Sequence, residues 1–388
     1  MMDYGKLINP VAENIKPSGI RKFFDIVEEM DDVITLGVGE PDFPTPWAVR
    51  QAGIRSLEDG KTRYTSNWGL KKLREEIAAY MKRRFDLSYC PDNEILVTVG
   101  GSEAIDVSIR TLVSPGDEVL IPEPSFVCYR PIVELSGGIP VPIVTKAEND
   151  FRLTAEELKS AITPKTKVLI MPFPCNPTGG VMRKEHLEEV AEVLRGTDIM
   201  IISDEIYAEL TYGESHVSIA SREGMAERTI VIGGFSKSYS MTGWRLGYAC
   251  GPKEIMTIAT KIHQFAIMSA PTTAQYAAIE ALRSCDEDLK NMVNDYNMRR
   301  RFVVNGFRRI GLDCFEPNGA FYAFPCIKST GLSSEEFCEK LLYSEKVALV
   351  PGNAFGESGE GYVRASYCYS IDHLKEALRR IENFLQKL

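Results

Sequence analysis

The chain has 388 residues, of which 44% are hydrophobic and 26% are charged, and its formal net charge is −9. This length exceeds one simple core and favours two unequal domains, while the composition is ordinary for a globular protein. The negative charge and the lack of a lysine- or arginine-rich block argue against nucleic-acid binding, and no apolar run is long enough to span a membrane.

Cysteine and histidine usage argues against a metal site and against a disulfide framework. The nine cysteines and four histidines show none of the spacings typical of either. Scattered cysteines are typical of reduced thiols, and the first residues contain no apolar segment that would predict a signal peptide. We therefore expect a cytoplasmic protein that binds no metal.

The first 45 residues are predicted to form an arm rather than a domain. A short amphipathic helix is expected from about residue 18, and residues 33–36 are typical of a strand. Three prolines and two glycines then exclude regular structure from residues 37–46. Such a segment is either a plain connector or a place where glycine lets the backbone approach a ligand closely.

The middle of the chain alternates between short apolar runs and amphipathic segments, after a helix expected from about residue 47. The predicted strands are at 94–99, 118–121, 167–171, 199–202 and 229–232, with a further apolar run at 246–250. The helices predicted between them are at 102–113, 128–135 and 184–194. Nearly continuous apolar strands that alternate with helices indicate a largely parallel sheet that is buried on both faces.

From residue 272 the pattern becomes mostly helical and then mixed. The remaining predicted elements are helices at 286–310, 334–342 and 371–388 and strands near 320–324 and 362–366. They indicate a smaller α+β domain. The predicted parts are an arm at 1–45 that joins the small domain, a large domain at 46–284 and a small domain at 285–388.

Ligands bind beyond the carboxyl ends of the strands in an open parallel sheet, so the residues after each strand are candidates for a site. Gly100, Gly101 and Ser102 open a helix after the first strand, and their amides would bind an anion such as phosphate. An ordinary helix cap at Ser102 explains them equally well. At the next exits Phe126 offers an aromatic face, although a core phenylalanine explains it better when it is taken alone, and Asn176 offers an amide.

Charged side chains follow the next two strands. Asp204 ends a buried strand with Tyr207 beyond it, and a buried carboxylate is costly unless it meets a cation such as a pyridinium N–H. Lys237 follows the last of these strands, with Arg245 beyond it. A lysine in such surroundings has a lowered pKa and is a good Schiff-base nucleophile, although a surface lysine is the better explanation of Lys237 taken alone.

One ligand matches all five strand exits. It needs a phosphate, a flat ring with an oxygen and a protonated nitrogen, and an aldehyde. Pyridoxal 5′-phosphate carries each of these groups. The sequence therefore predicts a pyridoxal 5′-phosphate site at this edge of the sheet.

Several motifs also identify a family. The most specific is Ser-Lys-Ser-Tyr-Ser-Met-Thr-Gly-Trp-Arg-Leu-Gly at 236–247, supported by Asn-Pro-Thr-Gly-Gly at 176–180, Ser-Asp-Glu-Ile-Tyr at 203–207 and Tyr-Val-Arg-Ala-Ser at 362–366. On these motifs the chain resembles, over nearly its whole length, the class I/II aminotransferases of the aspartate aminotransferase superfamily. The resemblance implies an α/β fold of pyridoxal-phosphate fold type I, with a mostly parallel seven-stranded sheet between helices and a smaller α+β domain.

The resemblance also assigns roles to candidate residues. Lys237 would form the Schiff base and then move a proton, Asp204 would pair with the ring nitrogen, and Tyr207 with Asn176 would bond the ring oxygen. The other implied cofactor contacts are Phe126 on the ring and, on the phosphate, Gly101, Ser102, the main chain of Glu103, Ser236 and Arg245.

Substrate and partner contacts follow from the same resemblance. Arg364 would grip the substrate α-carboxylate as a bidentate pair, for which lysine is a poor substitute. Gly39 would lie against the substrate, as would Asn176. Tyr64 would reach the phosphate of a neighbouring subunit, which implies a homodimer with shared active sites.

Two positions depart from the family pattern. Position 234 is glycine, where many relatives carry a phosphate-binding serine. Ser102 stands where some acid-specific relatives carry a lysine that binds a distal carboxylate, so aspartate is less favoured as the amino donor. The family also tends to have cis peptide bonds before two prolines of the site, and we predict them before Pro124 and Pro177.

The pocket for the substrate side chain is predicted at residues 15–20 of the arm and at Phe126. Ile20 and Phe126 favour apolar or aromatic side chains, whereas Arg21 and Lys22 would meet a distal carboxylate or, as is more usual, form a solvated face. We expect ping-pong transfer of an amino group from an apolar, aromatic or broader set of L-amino acids to a 2-oxo acid such as 2-oxoglutarate.

Other functions on the same fold stay open. A carbon–sulfur β-lyase is one alternative, but such relatives commonly carry histidine at the position of Tyr207. An enzyme that forms aminocyclopropane-carboxylate by γ-elimination is another. A non-catalytic pyridoxal-phosphate-binding regulator would usually carry a DNA-binding module, of which the sequence gives no sign.

Overall fold

The structure is a computed structural model that describes residue 2, residues 4–15 and residues 30–388. The helix predicted from residue 18 lies outside the described residues. The α-helices of the described part are α1 Pro10–Asn14, α2 Trp47–Glu58, α3 Lys71–Phe85, α4 Gly101–Leu112, α5 Tyr129–Leu135, α6 Ala155–Ala161, α7 Lys184–Leu194, α8 Lys253–Ala266, α9 Thr272–Ser284, α10 Asp286–Arg309, α11 Ser334–Glu345 and α12 Ile371–Leu385. The strands are β1 Ile34–Thr35, β2 Ile95–Thr98, β3 Glu118–Glu123, β4 Ile139–Val144, β5 Thr166–Met171, β6 Met200–Asp204, β7 Thr229–Gly234, β8 Gly247–Cys250, β9 Tyr322–Ala323, β10 Val347–Ala348, β11 Val350–Pro351 and β12 Val363–Ser366.

Seven strands form one sheet in the order β2-β8-β7-β6-β5-β3-β4. β8 runs antiparallel to its neighbours β2 and β7, and the other neighbouring strands pair in parallel. The predicted α/β fold with a mostly parallel seven-stranded sheet is therefore confirmed. The five strands whose following residues were singled out from the sequence run in the same direction, so their carboxyl ends lie at the same end of the sheet.

The inner strand β5 shows why the strands are continuous apolar runs in the sequence. Val168 and Ile170 pack in one buried cluster together with side chains of α4 and α8. Leu169 and Met171 pack in another, together with side chains of α6 and α7. Because successive side chains of a strand point to opposite faces, a sheet covered by helices on both faces needs apolar residues at every position.

Two features of the sheet differ from the sequence prediction, and both involve proline. β4 was not predicted, since Pro140 and Pro142 lie within it, and β3 continues past the predicted end at 121 to include Pro122. β4 is an edge strand that pairs only with β3, and the pairing of β3 with β5 ends at Leu120. Where the N–H of a residue would face no neighbouring strand, proline removes no hydrogen bond from the sheet and is therefore tolerated. The helices α1, α3, α6 and α8 were also not predicted.

The C-terminal part forms smaller sheets. β9, β11 and β12 make an antiparallel sheet in the order β11-β12-β9, and β1 of the arm pairs in parallel with β10. The arm strand therefore lies beside C-terminal strands. The domain boundaries at residues 45 and 284 stay a prediction.

Within the described ranges, no helix is long and apolar enough to cross a bilayer. Those ranges also hold no group of three or more His, Cys, Asp or Glu side chains that could hold a metal ion. All nine cysteines lie in them, and each is unpaired.

Candidate active site

A cavity of about 320 Å³ lies at the carboxyl ends of the parallel strands. Its wall is built by the loops after β2, β3, β5, β6 and β7, by residues 37–39 and by side chains of β9 and β12. Every predicted site residue except Glu103 and Tyr64 lines this cavity. The predicted residues that line it are Gly39, Gly101, Ser102, Phe126, Asn176, Asp204, Tyr207, Ser236, Lys237, Arg245 and Arg364. Because these residues come from distant parts of the chain, the fold alone assembles them.

Glu103 and Tyr64 do not line this cavity. The Glu103 carboxylate accepts from the amide of Val99 and lies 2.7 Å from Nδ1 of the buried His263. Its own amide belongs to the first turn of α4, where amides have no partner within the helix. The Tyr64 residue is 82% exposed. The main-chain contact of Glu103 and the neighbour-subunit contact of Tyr64 stay predictions.

Lys237 is held at the cavity wall. Its Nζ donates to the carbonyl oxygen of Gly39 at 2.7 Å. Burial lowers the pKa of the Lys237 ammonium to about 8, Cys368 and Glu40 oppose that fall, and Arg364 adds to it. A much larger fraction of this amine is therefore uncharged near neutral pH than for an ordinary lysine, which makes it a better nucleophile.

Asp204 is a buried carboxylate that has no cationic partner in the part of the chain that the structure describes. Its Oδ2 accepts from the Tyr129 hydroxyl at 2.6 Å, and its Oδ1 accepts from the Ile206 amide at 3.2 Å. Burial raises the pKa of Asp204, and these two hydrogen bonds oppose the rise. Among the described residues no lysine, arginine or histidine pairs with it, so the cavity would stabilise a ligand that brings a cationic N–H.

Arg364 is a buried cation that has no carboxylate partner among the described residues. Its Nη1 donates to Oδ1 of Asn176 at 2.9 Å, its Nη2 donates to the carbonyl of Gly37, and Nε has no partner in the described part of the chain. Burial lowers the pKa of this guanidinium. None of these partners is a carboxylate, so a ligand carboxylate would complete the site.

Two tyrosines of the cavity wall, Tyr129 and Tyr322, were not predicted as site residues from the sequence. Tyr129 donates to Asp204, and the hydroxyl of Tyr322 lies 2.9 Å from that of Tyr207. Both are buried, and the Tyr129 ring meets the Phe126 ring edge-on at 5.9 Å between centroids. An aromatic residue in a helix or strand usually reports a core position, so no local signal separated these two from ordinary core residues.

The first turn of α4 and Arg245 lie against each other. Gly100 has φ +82°, and a Cβ built there would lie 2.9 Å from Nη2 of Arg245. A side chain at position 100 would be strained by this positive φ and would also push the Arg245 guanidinium aside. Helix amides beside an arginine form a ready site for an anion, with the buried Ser236 on the same cavity wall.

The structure shows what occupies the space beside Gly234, where many relatives of the family carry a serine. A Cβ at Gly234 would lie 2.6 Å from Cδ1 of Ile206, whose methyl group also faces Gly101. The space that a serine side chain would need is therefore filled by Ile206. The peptide bonds before Pro124 and Pro177 are cis, as predicted, and the bond before Pro174 is cis as well.

Most residues of the predicted pocket for the substrate side chain lie outside the described residues. Residues 16–20, Arg21 and Lys22 lie outside the described residues, and Ile15 is half-buried. Phe126 does line the cavity.

Comparison with known proteins gives consistent matches. Residues 31–381 match the family model described as aminotransferase class I and II. The chain is 55% identical over 380 residues to the "Putative aminotransferase YugH" of Bacillus subtilis (strain 168), with 98% of each chain covered. It is 46% identical over 378 residues to an aspartate aminotransferase of Pyrococcus abyssi, with 96% of this chain and 97% of that one covered.

The solved structures agree. An aromatic aminotransferase from Pyrococcus horikoshii superposes with a TM-score of 0.90 at 43% identity and covers 94% of this chain and 99% of its own. The family match spans most of the chain and the identities are well above those of fold-level likeness. The chain therefore belongs to the class I and II aminotransferases, which are pyridoxal-phosphate-dependent.

Proposed function

We propose that this protein is a transaminase that binds pyridoxal 5′-phosphate through Lys237 and transfers an amino group between an L-amino acid and a 2-oxo acid. The observation that carries the proposal is the Asp204 carboxylate, buried without a cationic partner among the described residues. It lies on the wall of the same cavity as Lys237 and Arg364. These unmatched charges fit a ring with a protonated nitrogen, an aldehyde and a substrate carboxylate.

Residues from several loops would together hold the cofactor. Asp204 would hold the proton of the ring nitrogen, Tyr207 and Asn176 would donate to the ring oxygen, and Phe126 would cover the ring. The phosphate would be bound by Gly101, Ser102, the amide of Glu103, Ser236 and Arg245. When bound, the cofactor supplies an aldehyde that takes up the amino group and a ring that accepts the electron pair of the broken Cα–H bond.

The chain's own residues would do the rest. Arg364 would bind the substrate α-carboxylate, because it is buried and contacts carbonyl and amide oxygens rather than an anion. Lys237 would take the proton from the substrate Cα, which its lowered pKa favours near neutral pH. The product would leave as a 2-oxo acid before a second oxo acid such as 2-oxoglutarate enters and reverses the transfer.

The segment at 37–46 would help to exclude water. Thr45 Oγ1 donates to the carbonyl of Ser240 at 2.6 Å and accepts from Trp244 Nε1 at 3.1 Å. Thr242 donates to Glu40. The segment is thus tied to the loop that carries Lys237, at the wall of the cavity, where a dry site strengthens electrostatic contacts.

We propose apolar, aromatic or broadly accepted amino acids as donors, with aspartate less favoured. The cations described on the cavity wall are Lys237, Arg245 and Arg364, and each already has a role toward the cofactor or the α-carboxylate. A distal carboxylate would therefore need a further cation. The relatives' names include both an aspartate and an aromatic aminotransferase, so the donor test must contain both classes.

We also propose a cytoplasmic homodimer in which Tyr64 completes the neighbour's site. Tyr64 is exposed away from its own cavity, and large apolar side chains are exposed on α2 and α8, namely Trp47, Ile54, Leu57 and Phe265. Light scattering gives the mass of the assembly. Mixing Tyr64→Phe and Lys237→Ala subunits should restore activity, because each mixed dimer regains one intact site. A monomer, or no restoration after subunit exchange, contradicts the shared site.

The first experiment is an absorbance spectrum of the purified protein before and after single amino acids are added. We expect a visible band of bound cofactor that moves to the near-ultraviolet with donors and returns with 2-oxoglutarate. In Lys237→Ala we expect the absorbance of the free aldehyde in place of the Schiff-base band. No band even after addition of pyridoxal phosphate would overturn the cofactor assignment. A band that persists while cysteine-like substrates release pyruvate and ammonia would identify a β-lyase instead.

A further inference from the structure

Tyr322 lies on the cavity wall, and none of the roles above includes it. It belongs to β9 and is buried, with 1% of its surface exposed. Its hydroxyl lies 2.9 Å from the hydroxyl of Tyr207, and its ring centroid lies 4.5 Å from Cζ of Arg364. One side chain therefore contacts both the proposed donor to the ring oxygen and the proposed carboxylate receptor.

The hydrogen bond between the two phenols has a favoured direction. Burial raises the pKa of Tyr322 to about 12, while the guanidinium of Arg364 opposes that rise. Burial raises the pKa of Tyr207 well above its ordinary value. Either hydroxyl could donate across this 2.9 Å contact. Since the proposed function has Tyr207 donate its own proton to the ring oxygen, Tyr207 accepts here and Tyr322 is the donor.

The position of the Tyr322 hydroxyl is restricted by Gly39. A Cβ built at Gly39 would lie 2.1 Å from this oxygen, so a larger residue at position 39 would displace it. The carbonyl of Gly39 accepts from Nζ of Lys237. The hydroxyl is therefore enclosed between Tyr207 and the segment that contacts the lysine.

The ring of Tyr322 acts on Arg364. The guanidinium carbon lies 4.5 Å from the Tyr322 centroid and 4.9 Å from the Phe355 centroid. A guanidinium over a buried aromatic face is attracted by the ring electrons. Since Arg364 has no carboxylate partner among the described residues, these rings and two oxygen acceptors are what orient it.

We propose that Tyr322 is a positioning residue with two separable parts: its hydroxyl orients Tyr207 toward the cofactor, and its ring orients Arg364 toward the substrate carboxylate. The inference rests on the proposed function. Tyr322→Phe removes the hydroxyl alone, and Tyr322→Leu removes hydroxyl and ring.

A matched control exists in the same chain. Tyr212 is buried, its hydroxyl donates to the carbonyl of Ala320, and Cζ of Arg300 lies 5.1 Å from its ring centroid. Tyr212 does not line the cavity. Tyr212→Phe therefore removes the same kind of buried hydrogen bond beside the same kind of cation without touching the site.

The test measures three quantities on the holoprotein of each variant: the wavelength of the visible band, the dissociation constant of the unreactive carboxylate 3-phenylpropionate by calorimetry, and kcat and KM with one donor. In Tyr322→Phe we expect a shifted band and a kcat lower by up to about tenfold, with carboxylate binding unchanged. In Tyr322→Leu we expect carboxylate binding to weaken by about tenfold as well. Tyr212→Phe should leave all three unchanged.

A further variant tests the contact with Gly39. Gly39→Ala should reproduce the band shift of Tyr322→Phe and add little to it in the double variant, because both act on one hydroxyl. The inference is overturned if both Tyr322 variants have the same band wavelength and the same dissociation constant for 3-phenylpropionate as Tyr212→Phe. A wild-type protein without a donor-sensitive band would instead overturn the proposed function, so the two failures are distinguishable.

Discussion

Two consecutive carboxylates, Asp204 at the end of β6 and Glu205 directly after it, have different sets of hydrogen-bond partners. Both are buried, Asp204 with 6% and Glu205 with 4% of the residue exposed. Glu205 accepts from the hydroxyls of Ser203 at 2.8 Å and Ser218 at 2.5 Å, and its other oxygen lies 2.8 Å from Nε2 of His216. Among the described residues, Asp204 accepts only from Tyr129 and the Ile206 amide. A buried charge with a full set of partners stabilises the fold, whereas one with an incomplete set is available to a ligand.

The buried arginines repeat the contrast. Arg300 donates to Asn297, to Glu316 at 2.9 Å and to the carbonyl of Pro317. Arg364 is equally buried but has no carboxylate among its described partners. Burial does not distinguish the two members of either pair, but their partners do.

The largest effect is expected from Asp204→Asn. The amide keeps the shape and the Tyr129 contact but cannot hold the proton of a ring nitrogen, so kcat/KM should fall by about 10³-fold. The free energy of unfolding of the cofactor-free protein should stay the same or rise, since a buried, poorly paired carboxylate is costly. Steady-state kinetics and urea denaturation measure both. Retained activity would remove Asp204 from the site.

Arg364→Lys should lower kcat/KM by about 10²-fold, mainly through KM, because a lysine cannot present two parallel N–H groups to a carboxylate. Arg300→Lys is the matched control. It should lower the urea midpoint of unfolding and leave kcat/KM near the wild-type value. Equal kinetic losses in both variants would contradict the contrast between the two arginines.

The third prediction uses the lysine of the same cavity. In the cofactor-free protein the rate at which Lys237 reacts with pyridoxal phosphate should rise with pH, because only the uncharged amine reacts. With a pKa of about 8, the rise should end not far above that pH rather than near 10.5. Between pH 7 and the plateau it should amount to roughly tenfold. Stopped-flow absorbance measures it, with Lys237→Ala as the blank, and a rate still climbing at pH 10 contradicts the lowered pKa.

Glu205→Gln should have the smallest effect on catalysis and a clear one on stability. The neutral amide is a weaker acceptor for two serines and a histidine, so the free energy of unfolding should fall by about 2 kcal/mol. The kcat of the folded protein should stay within about twofold of the wild-type value, since Glu205 faces away from the cavity. A tenfold loss of kcat at unchanged stability would show that both carboxylates serve the site.

Much of the site could be predicted because of one rule about sheets. Asp204 and Lys237 could be found because apolar strands stop at recognisable positions and parallel strands present those positions at one edge. Arg364 came from the family resemblance, since β12 belongs to another sheet and its contact with Asn176 spans 188 positions. β4 was missed because its prolines are acceptable only at a sheet edge, which a sequence pattern does not reveal.

The roles of Tyr129 and Tyr322 could not be predicted from the sequence. Tyr129 meets Asp204 from 75 positions away, and Tyr322 meets Tyr207 from 115 positions away. A buried tyrosine looks the same in a sequence whether its hydroxyl meets a site residue or a backbone carbonyl. Gly234 is similar, because the sequence shows a missing serine but not the Ile206 methyl group that fills its space.

The sequence by itself determined the alternation of strands and helices and the identity of the side chains that end the strands, because these depend on local periodicity and chain order. Only the tertiary structure decided which of the buried charges find partners within the chain, because those partners come from remote segments. Asp204 and Glu205 are neighbours in sequence, but packing gives one a complete hydrogen-bond set and leaves the other facing a cavity. The difference arises because Asp204, the last residue of β6, lines the cavity, whereas the carboxylate of Glu205 lies among Ser203, Ser218 and His216. It separates a structural carboxylate from one available to a ligand.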